Sequence, residues 1–214
     1  MPAPRADLLL ADSADLGIQG CAPPSFAVMT LLDDRLKWNL RYREGAALAE
    51  RPEPHALAQA WRSLWRGGPM LDAACGLGRG IASAADAFSP VYAVDLSEEA
   101  IAQARRLWAD APAIRWIVAD VGTLDWPERF FGLVCAFGFT DMPFFRRVPE
   151  LLRPGGMFLY EGFSARQREV IPHLNPEWIG DPEALRATFA GGRILELAES
   201  EAPPFRTRMA AIAA

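Results

Sequence analysis

The sequence predicts an α/β domain built on a seven-stranded, mostly parallel sheet with helices on both faces. Three observations predict it. From Met70 onward, short apolar runs alternate with segments whose apolar residues recur every three or four positions, the pattern of a parallel sheet wrapped by crossover helices. A glycine-rich turn joins the first run directly to a helical segment, as ligand-binding turns of such sheets do. The 214 residues, 51% of them hydrophobic and 23% charged, suffice for one core of this kind and not for two.

Residues 1–33 carry Asp, Pro and Gly without sustained periodicity and read as an N-terminal extension, either a lid or a disordered arm. The domain is assigned to residues 34–214. From Asp34 a helical pattern runs to Gly45, with Trp38, Arg41, Tyr42 and Gly45 on one face. A second helix follows Pro52 and Pro54, with Leu57, Trp61, Leu64 and Trp65 as its stripe and Gly67-Gly68 as its stop. Met70–Ala74 is the first strand and Arg79–Phe88 the helix after it. Val91–Val94 is the second strand. Ser97 then caps a helix whose first turn holds Glu98 and Glu99, where the macrodipole favours negative charge. Ile114–Val118, Phe131–Phe137 and Met157–Tyr160 are the third to fifth strands. The helix Phe144–Leu152 ends at Arg153-Pro154-Gly155-Gly156. A helix around Pro182–Phe189 precedes a closing pair of strands, Arg193–Leu197 and Arg206–Ala213.

A net charge of −5 argues against a nucleic-acid partner, since phosphate-tracking surfaces need an excess of Lys and Arg. The pairs Arg105/Arg106 and Arg146/Arg147 read as solvated helix faces. Cys21, Cys75 and Cys135 form no CxxC, so neither a disulfide framework nor a metal site is expected, and a reducing cytoplasm is. No apolar stretch is long enough to span a bilayer and none reads as a signal peptide.

The chemistry concentrates in Met70-Leu71-Asp72-Ala73-Ala74-Cys75-Gly76-Leu77-Gly78-Arg79-Gly80. Glycines between a buried strand and a helix let the backbone approach a ligand closely. The second strand ends in Asp95, where a carboxylate can accept both ribose hydroxyls of an adenosine. The third is followed by Asp120, and Asp72, Asp95 and Asp120 are expected to converge on one crevice. An Asp at the end of the first strand repels a pyrophosphate but suits an ammonium or sulfonium.

These residues resemble class I S-adenosylmethionine-dependent methyltransferases in order and spacing, through the turn, Val91-Tyr92-Ala93-Val94-Asp95-Leu96-Ser97, Ala119-Asp120 and Leu151-Leu152-Arg153-Pro154-Gly155-Gly156. Within that superfamily, Trp38-Asn39-Leu40-Arg41-Tyr42-Arg43-Glu44-Gly45 is similar to the opening of the tellurite-resistance and thiopurine methyltransferase-like group. The resemblance implies a Rossmann-like sheet with its last strand antiparallel and S-adenosyl-L-methionine as cofactor. Methyl transfer to a small-molecule S, O, N or chalcogen nucleophile by in-line displacement is implied as well.

It also implies that Asp72, Ala74, Cys75, Gly76 and Gly78 line the methionine part, that Asp95 and Leu96 hold ribose and adenine, and that Asp120 and Val121 meet the adenine edge. Ala136 or Phe137 then lies beneath the methionine portion. Arg41 pairs with the cofactor carboxylate while Trp38 and Tyr42 cover it, unless these two are only the apolar face of a packing helix. Ala74 stands where the family pattern has glycine, a mild change in this reading. Asp141 and Glu161 are the candidate general bases, with capping or loop carboxylates as the bland alternative. His55 and His173 receive no role. The Asp95 carboxylate is expected to face an open crevice and to contribute little to the fold.

Two rivals remain at this point. A nicotinamide-dependent reductase lacks its Tyr-x-x-x-Lys pair, because Lys37 is the only lysine. A cofactor-binding noncatalytic module or assembly partner on the same fold stands as the alternative function.

Overall fold

A computed structural model describes residues 25–46, 50–111 and 113–214. The extension assigned to residues 1–33 lies outside the described residues up to position 24. The first helix, α1 (Ser25–Gly45), begins nine positions before Asp34. Then follow α2 (Ala56–Trp61), β1 (Met70–Ala73), α3 (Arg79–Ala84), β2 (Val91–Asp95), α4 (Glu98–Leu107), β3 (Ile114–Val118) and β4 (Phe131–Phe137). The chain closes with α5 (Met142–Leu151), β5 (Leu152–Phe163), α6 (Pro182–Thr188), β6 (Arg193–Glu199) and β7 (Arg206–Ile212).

The strands form one sheet in the order β3-β2-β1-β4-β5-β7-β6. All neighbours are parallel except β7, which runs antiparallel to both β5 and β6. The chain direction thus reverses outward from β1 in both senses, and the β1/β4 boundary is the topological switch point where open α/β sheets place their ligands.

The sheet separates two cores. On one face, Met70, Ala93, Cys135, Leu159 and Ala210 pack with Leu57 of α2, Ile81 of α3 and Ile101 of α4. On the other, Val94, Ala136, Phe158, Tyr160 and Met209 pack with Phe144 and Phe145 of α5 and Leu185 of α6. Strand residues alternate between the cores because successive side chains point to opposite faces.

Ser97 caps α4, its hydroxyl accepting from Ala100 N. The Pro154-Gly155-Gly156 turn appears as an irregularity within β5, where Phe131 pairs with Leu152 and Leu133 with Met157. Helices α2 and α3 are shorter than the sequence pattern implies, with a 3₁₀ turn at Arg62–Leu64 continuing α2. Arg146 is exposed, but Arg147 is not a solvated side chain: its guanidinium donates to Gly122 O at 2.8 Å and Leu124 O at 3.0 Å. Those carbonyls belong to the segment after β3, which has few backbone partners of its own. Among the described residues, no helix is long and apolar enough to cross a membrane and no His, Cys, Asp or Glu cluster could hold a metal ion.

Candidate functional site

The turn after β1 is shaped by left-handed backbone. Ala74, Gly76 and Gly78 have φ of 52°, 53° and 92°. At Gly76 the space is closed as well, since a Cβ would stand 2.5 Å from the Tyr42 hydroxyl oxygen. Ala74 adopts a conformation that L-residues disfavour, at a cost of roughly 1–2 kcal/mol. The replacement of the family glycine therefore strains the turn and is not mild.

Asp72 is buried at the end of β1, and its Oδ2 accepts from Ile81 N at 3.1 Å. Burial pushes its carboxyl up to about 8, against backbone hydrogen bonds from Ile81 and Gly80 that favour the ionised form, with Asp95 adding repulsion. Asp95 is 8% exposed. Its Oδ2 accepts from Gly76 N and its Oδ1 from Ser97 N, both at 2.8 Å. The expectation that this carboxylate faces an open crevice and contributes little to the fold is thereby corrected: it ties the glycine turn to the start of α4. Burial raises its carboxyl too, and the bonds to Ser97 and Gly76 oppose that rise.

Asp120 lies on the same edge of the sheet; its Oδ1 accepts from Gly122 N at 2.9 Å, and the acidic group it faces is Asp141. Asp141 is the N-cap of α5, accepting from Phe144 N at 3.0 Å. Burial raises its carboxyl, and Asp120 and Glu177 add to the rise.

Register fixes the rest. Asp72 pairs with Ala93 and Cys135, Phe137 with Glu161, and Glu161 with Arg208. Continuing these pairings puts Asp95, Phe137, Glu161 and Arg208 on one row across the sheet. All four point to the α2/α3/α4 face, because each is two residues from Ala93, Cys135, Leu159 or Ala210, members of that core. Asp95 and Glu161 are three strand spacings apart, about 14 Å. Phe137 stacks on His55, with ring centroids 4.0 Å apart and planes 2° apart. Ala136 faces the opposite core and is fully buried, as Val121 is nearly so. Phe137 is therefore the member of its pair that faces the crevice, and Leu96 is half-buried beside Asp95. Cys75 and Cys135 are buried free thiols pushed up by burial, unsuited to nucleophilic chemistry.

Helix α1 docks on α4. Asn39 Oδ1 accepts from Ser97 Oγ at 2.7 Å, Gln103 Nε2 donates to Tyr42 O at 2.8 Å, and Arg43 pairs with Glu99 at 2.8 Å. This docking brings the half-buried Tyr42 hydroxyl over Gly76. Burial, with Asp95 nearby, holds its phenol well above the usual range. Arg41 is exposed, lies 5.3 Å over Trp38 and acts on the Tyr42 phenol with its charge. Trp38 meets Trp178 at a centroid distance of 6.4 Å, and Lys37 Nζ sits 3.9 Å above the Trp178 ring.

Sequence reasoning missed His55, Arg79, Trp178, Arg206 and Arg208. Glu161 Oε1 lies 3.2 Å from His55 Nε2 and its Oε2 lies 3.7 Å from Arg208 Nε. Burial alone would raise the Glu161 carboxyl, but the hydrogen bond from His55 and the charges of Arg206 and Arg208 outweigh it and lower the value. For His55 alone a local signal existed: it follows Pro54 and opens a helix, and its Nδ1 accepts from Leu57 N as a cap.

Residues 70–156 match the family described as Methyltransferase domain. No curated protein matches the chain. Among solved structures, one concerning the conversion of a disulfide bond into a thioacetal group during echinomycin biosynthesis aligns with a TM-score of 0.60 at 22% identity, over 84% of this chain and 91% of that one. The 1,6-didemethyltoxoflavin-N1-methyltransferase of Burkholderia thailandensis, bound to 1,6-didemethyltoxoflavin and S-adenosylhomocysteine, aligns with a TM-score of 0.60 at 20% identity, over 92% and 94%. The geranyl diphosphate C-methyltransferase of Streptomyces coelicolor A3(2) aligns with a TM-score of 0.59 at 14% identity, over 74% and 78%. The fold is that of Rossmann-like methyltransferases, and the glycine turn, Asp95 and Asp120 lie within residues 70–156, the part of the chain that matches the methyltransferase-domain family.

Proposed function

We propose that the protein transfers a methyl group from S-adenosyl-L-methionine to a small-molecule nucleophile. The observation that carries this reading is the pair of buried carboxylates, Asp72 and Asp95, flanking a left-handed turn in which Gly76 lies under the Tyr42 hydroxyl. Two acidic groups at the first two strand ends oppose a pyrophosphate and favour a ligand with an ammonium and a sulfonium. The residues fit that cofactor: Asp95 keeps lone pairs for ribose hydroxyls beyond those used by Gly76 N and Ser97 N, and Asp72 supplies charge beneath the methionine end. The solved relatives bound to S-adenosylhomocysteine support the assignment.

When bound, the cofactor supplies an electrophilic methyl group on sulfur. The chain's contribution is placement and exclusion of water, an effect that can be worth about 7–11 kcal/mol. Phe137, stacked on His55, forms a flat apolar floor between the cofactor end and Glu161. Trp38 and Tyr42 of α1, with Trp178, form the cover. Of the two candidate bases, Asp141 has the carboxyl raised by burial and so is the stronger base, whereas Glu161 is held ionised and is the weaker one. This favours Asp141 for acceptors that must lose a proton; a thiolate needs none. The acidic net charge favours a metabolite over nucleic acid as the acceptor.

Calorimetric titration tests the reading. Micromolar binding of S-adenosylhomocysteine and none of NADH is the expected result. Binding of NADH with no response to S-adenosylhomocysteine overturns it, and transfer of labelled methyl to fractions of a metabolite pool separates an enzyme from a noncatalytic module.

A further inference from the structure

Beyond the cofactor end, the same row of the sheet becomes basic. Arg206 and Arg208 lie two residues apart on β7 and so share a face, and Glu161 is paired in register with Arg208. The Arg206 guanidinium is held 4.1 Å over the Phe163 ring. Arg79, at the first position of α3, is exposed and borders a cleft of about 270 Å³ that Glu53 and His55 also line. Arg206 feels the charges of both Glu161 and Arg79.

Two guanidiniums, Arg206 and Arg208, therefore face one ionised carboxylate, Glu161, while Arg79 acts on Arg206 and shares the cleft with the exposed Glu53. Among the described residues no carboxylate lies within ion-pair distance of Arg79 or Arg206. Arg208 Nε is buried and makes no hydrogen bond, since Glu161 Oε2 at 3.7 Å is too far. A desolvated guanidinium N–H without an acceptor is costly unless a ligand completes it. His55 has no free lone pair to act as a base: Nδ1 accepts from Leu57 N and Nε2 faces Glu161. It is a positioning residue that fixes Glu161, which in turn fixes Arg208.

We infer that the methyl acceptor carries an oxyanion, a carboxylate or a phosphate, and that Arg206 and Arg208 bind it on the β5/β7 side of Phe137, with the charge of Arg79 acting beside Arg206. Two forked guanidiniums suit a planar or tetrahedral oxyanion by two-point hydrogen bonding. The inference rests on the methyltransferase reading for the word acceptor, whereas the anion site itself stands on the arginines alone.

Arg Nε–H resonances of the ¹⁵N-labelled protein report on the site directly, assigned through Arg206→Gln and Arg208→Gln. The protein, with and without S-adenosylhomocysteine, is titrated with inorganic phosphate and separately with succinate at constant ionic strength held by chloride. Saturable shifts of the Arg206 and Arg208 signals at millimolar anion are expected. Affinity should fall at least tenfold in Arg206→Gln and be partly kept in Arg206→Lys, which retains the charge without the fork. S-adenosylhomocysteine affinity should change less than twofold in both. The stronger of the phosphate and succinate responses identifies the oxyanion. Linear, unsaturable shifts equal to those from chloride overturn the inference, as does unchanged anion affinity in a folded Arg206→Gln protein. A wild type that binds the anions but not S-adenosylhomocysteine overturns the methyltransferase reading and leaves the anion site standing.

Discussion

The two ends of the crevice share one row of the sheet and one face of it, yet their electrostatics are opposite. At the β1/β2 end, Asp72 and Asp95 are buried and, among the described residues, no cationic side chain is hydrogen-bonded to either, and burial drives both toward the neutral form. At the β5/β7 end, Glu161 is half-buried among His55, Arg206 and Arg208 and is driven toward the charged form. Carboxyl groups in comparable strand-end positions thus behave differently because of what each meets: backbone N–H groups in the first case, guanidiniums and an imidazole in the second. The first end is acidic, and at the second the guanidiniums outnumber the carboxylate they meet.

Removing the acidic end's anchor should have the largest effect. Asp95→Asn is expected to weaken S-adenosylhomocysteine binding about a hundredfold, roughly 3 kcal/mol, since charge-assisted hydrogen bonds contribute about 1.5–3 kcal/mol each. Because Gly76 N and Ser97 N both depend on this carboxylate, the melting temperature of the ligand-free variant should fall as well. Titration calorimetry and thermal unfolding check both, and wild-type affinity in the folded variant removes the ribose assignment.

Proton linkage sharpens the contrast next. Asp72, with a carboxyl near 8, is protonated at pH 7, and a bound ammonium or sulfonium should draw it back to the carboxylate. Cofactor binding at pH 7 should then release about one proton from the Asp72/Asp95 pair, and none at pH 9. Binding enthalpies in buffers of different ionisation heat measure this directly, and Asp72→Asn should abolish the buffer dependence. The sign for stability follows from the same shift. A carboxyl raised above its unfolded value of 3.8 binds a proton more tightly in the folded protein, so its stabilising contribution is complete below pH 4 and is lost as pH rises through about 8. Glu161, with a lowered value, contributes in the other direction: its share is present above the unfolded value and is lost as pH falls through the folded one.

A smaller effect concerns the cover. Hydrogen exchange of residues 36–46 should slow on addition of S-adenosylhomocysteine, and Trp38→Ala, which removes the contact with Trp178, should blunt the slowing. Unchanged protection would leave α1 as a packing helix only. Smaller still, Ala74→Gly should stabilise the protein by about 1 kcal/mol, relief of the left-handed strain being partly offset by the greater freedom of an unfolded glycine. Denaturant midpoints decide it, and a destabilised Ala74→Gly would mean that the methyl packs better than the strain costs.

The cofactor end was legible in the sequence because its determinants are local. The turn Ala74–Gly78 and the cap at Ser97 each lie within a few residues, and strand-end placement of Asp72 and Asp95 follows from the βα alternation. One error arose even here: the Ala74 backbone conformation is set by the turn and not by residue type.

The other end could not be read that way. His55, Phe137, Glu161 and Arg208 are separated by 82, 24 and 47 positions, and nothing in the local pattern of any of them announces the others. They meet because β7 inserts antiparallel between β5 and β6, setting Arg208 beside Glu161, and because α2 lays its N-terminus on Phe137. The sequence by itself determined the α/β class, the sheet's strand content and the acidic cofactor turn, since hydrophobic period and turn chemistry are encoded within ten or so residues. Only the tertiary structure decided which charges face each other, because strand register and helix docking are settled by packing between segments far apart in the chain, and it is their juxtaposition that makes one carboxylate an acid and another an ion.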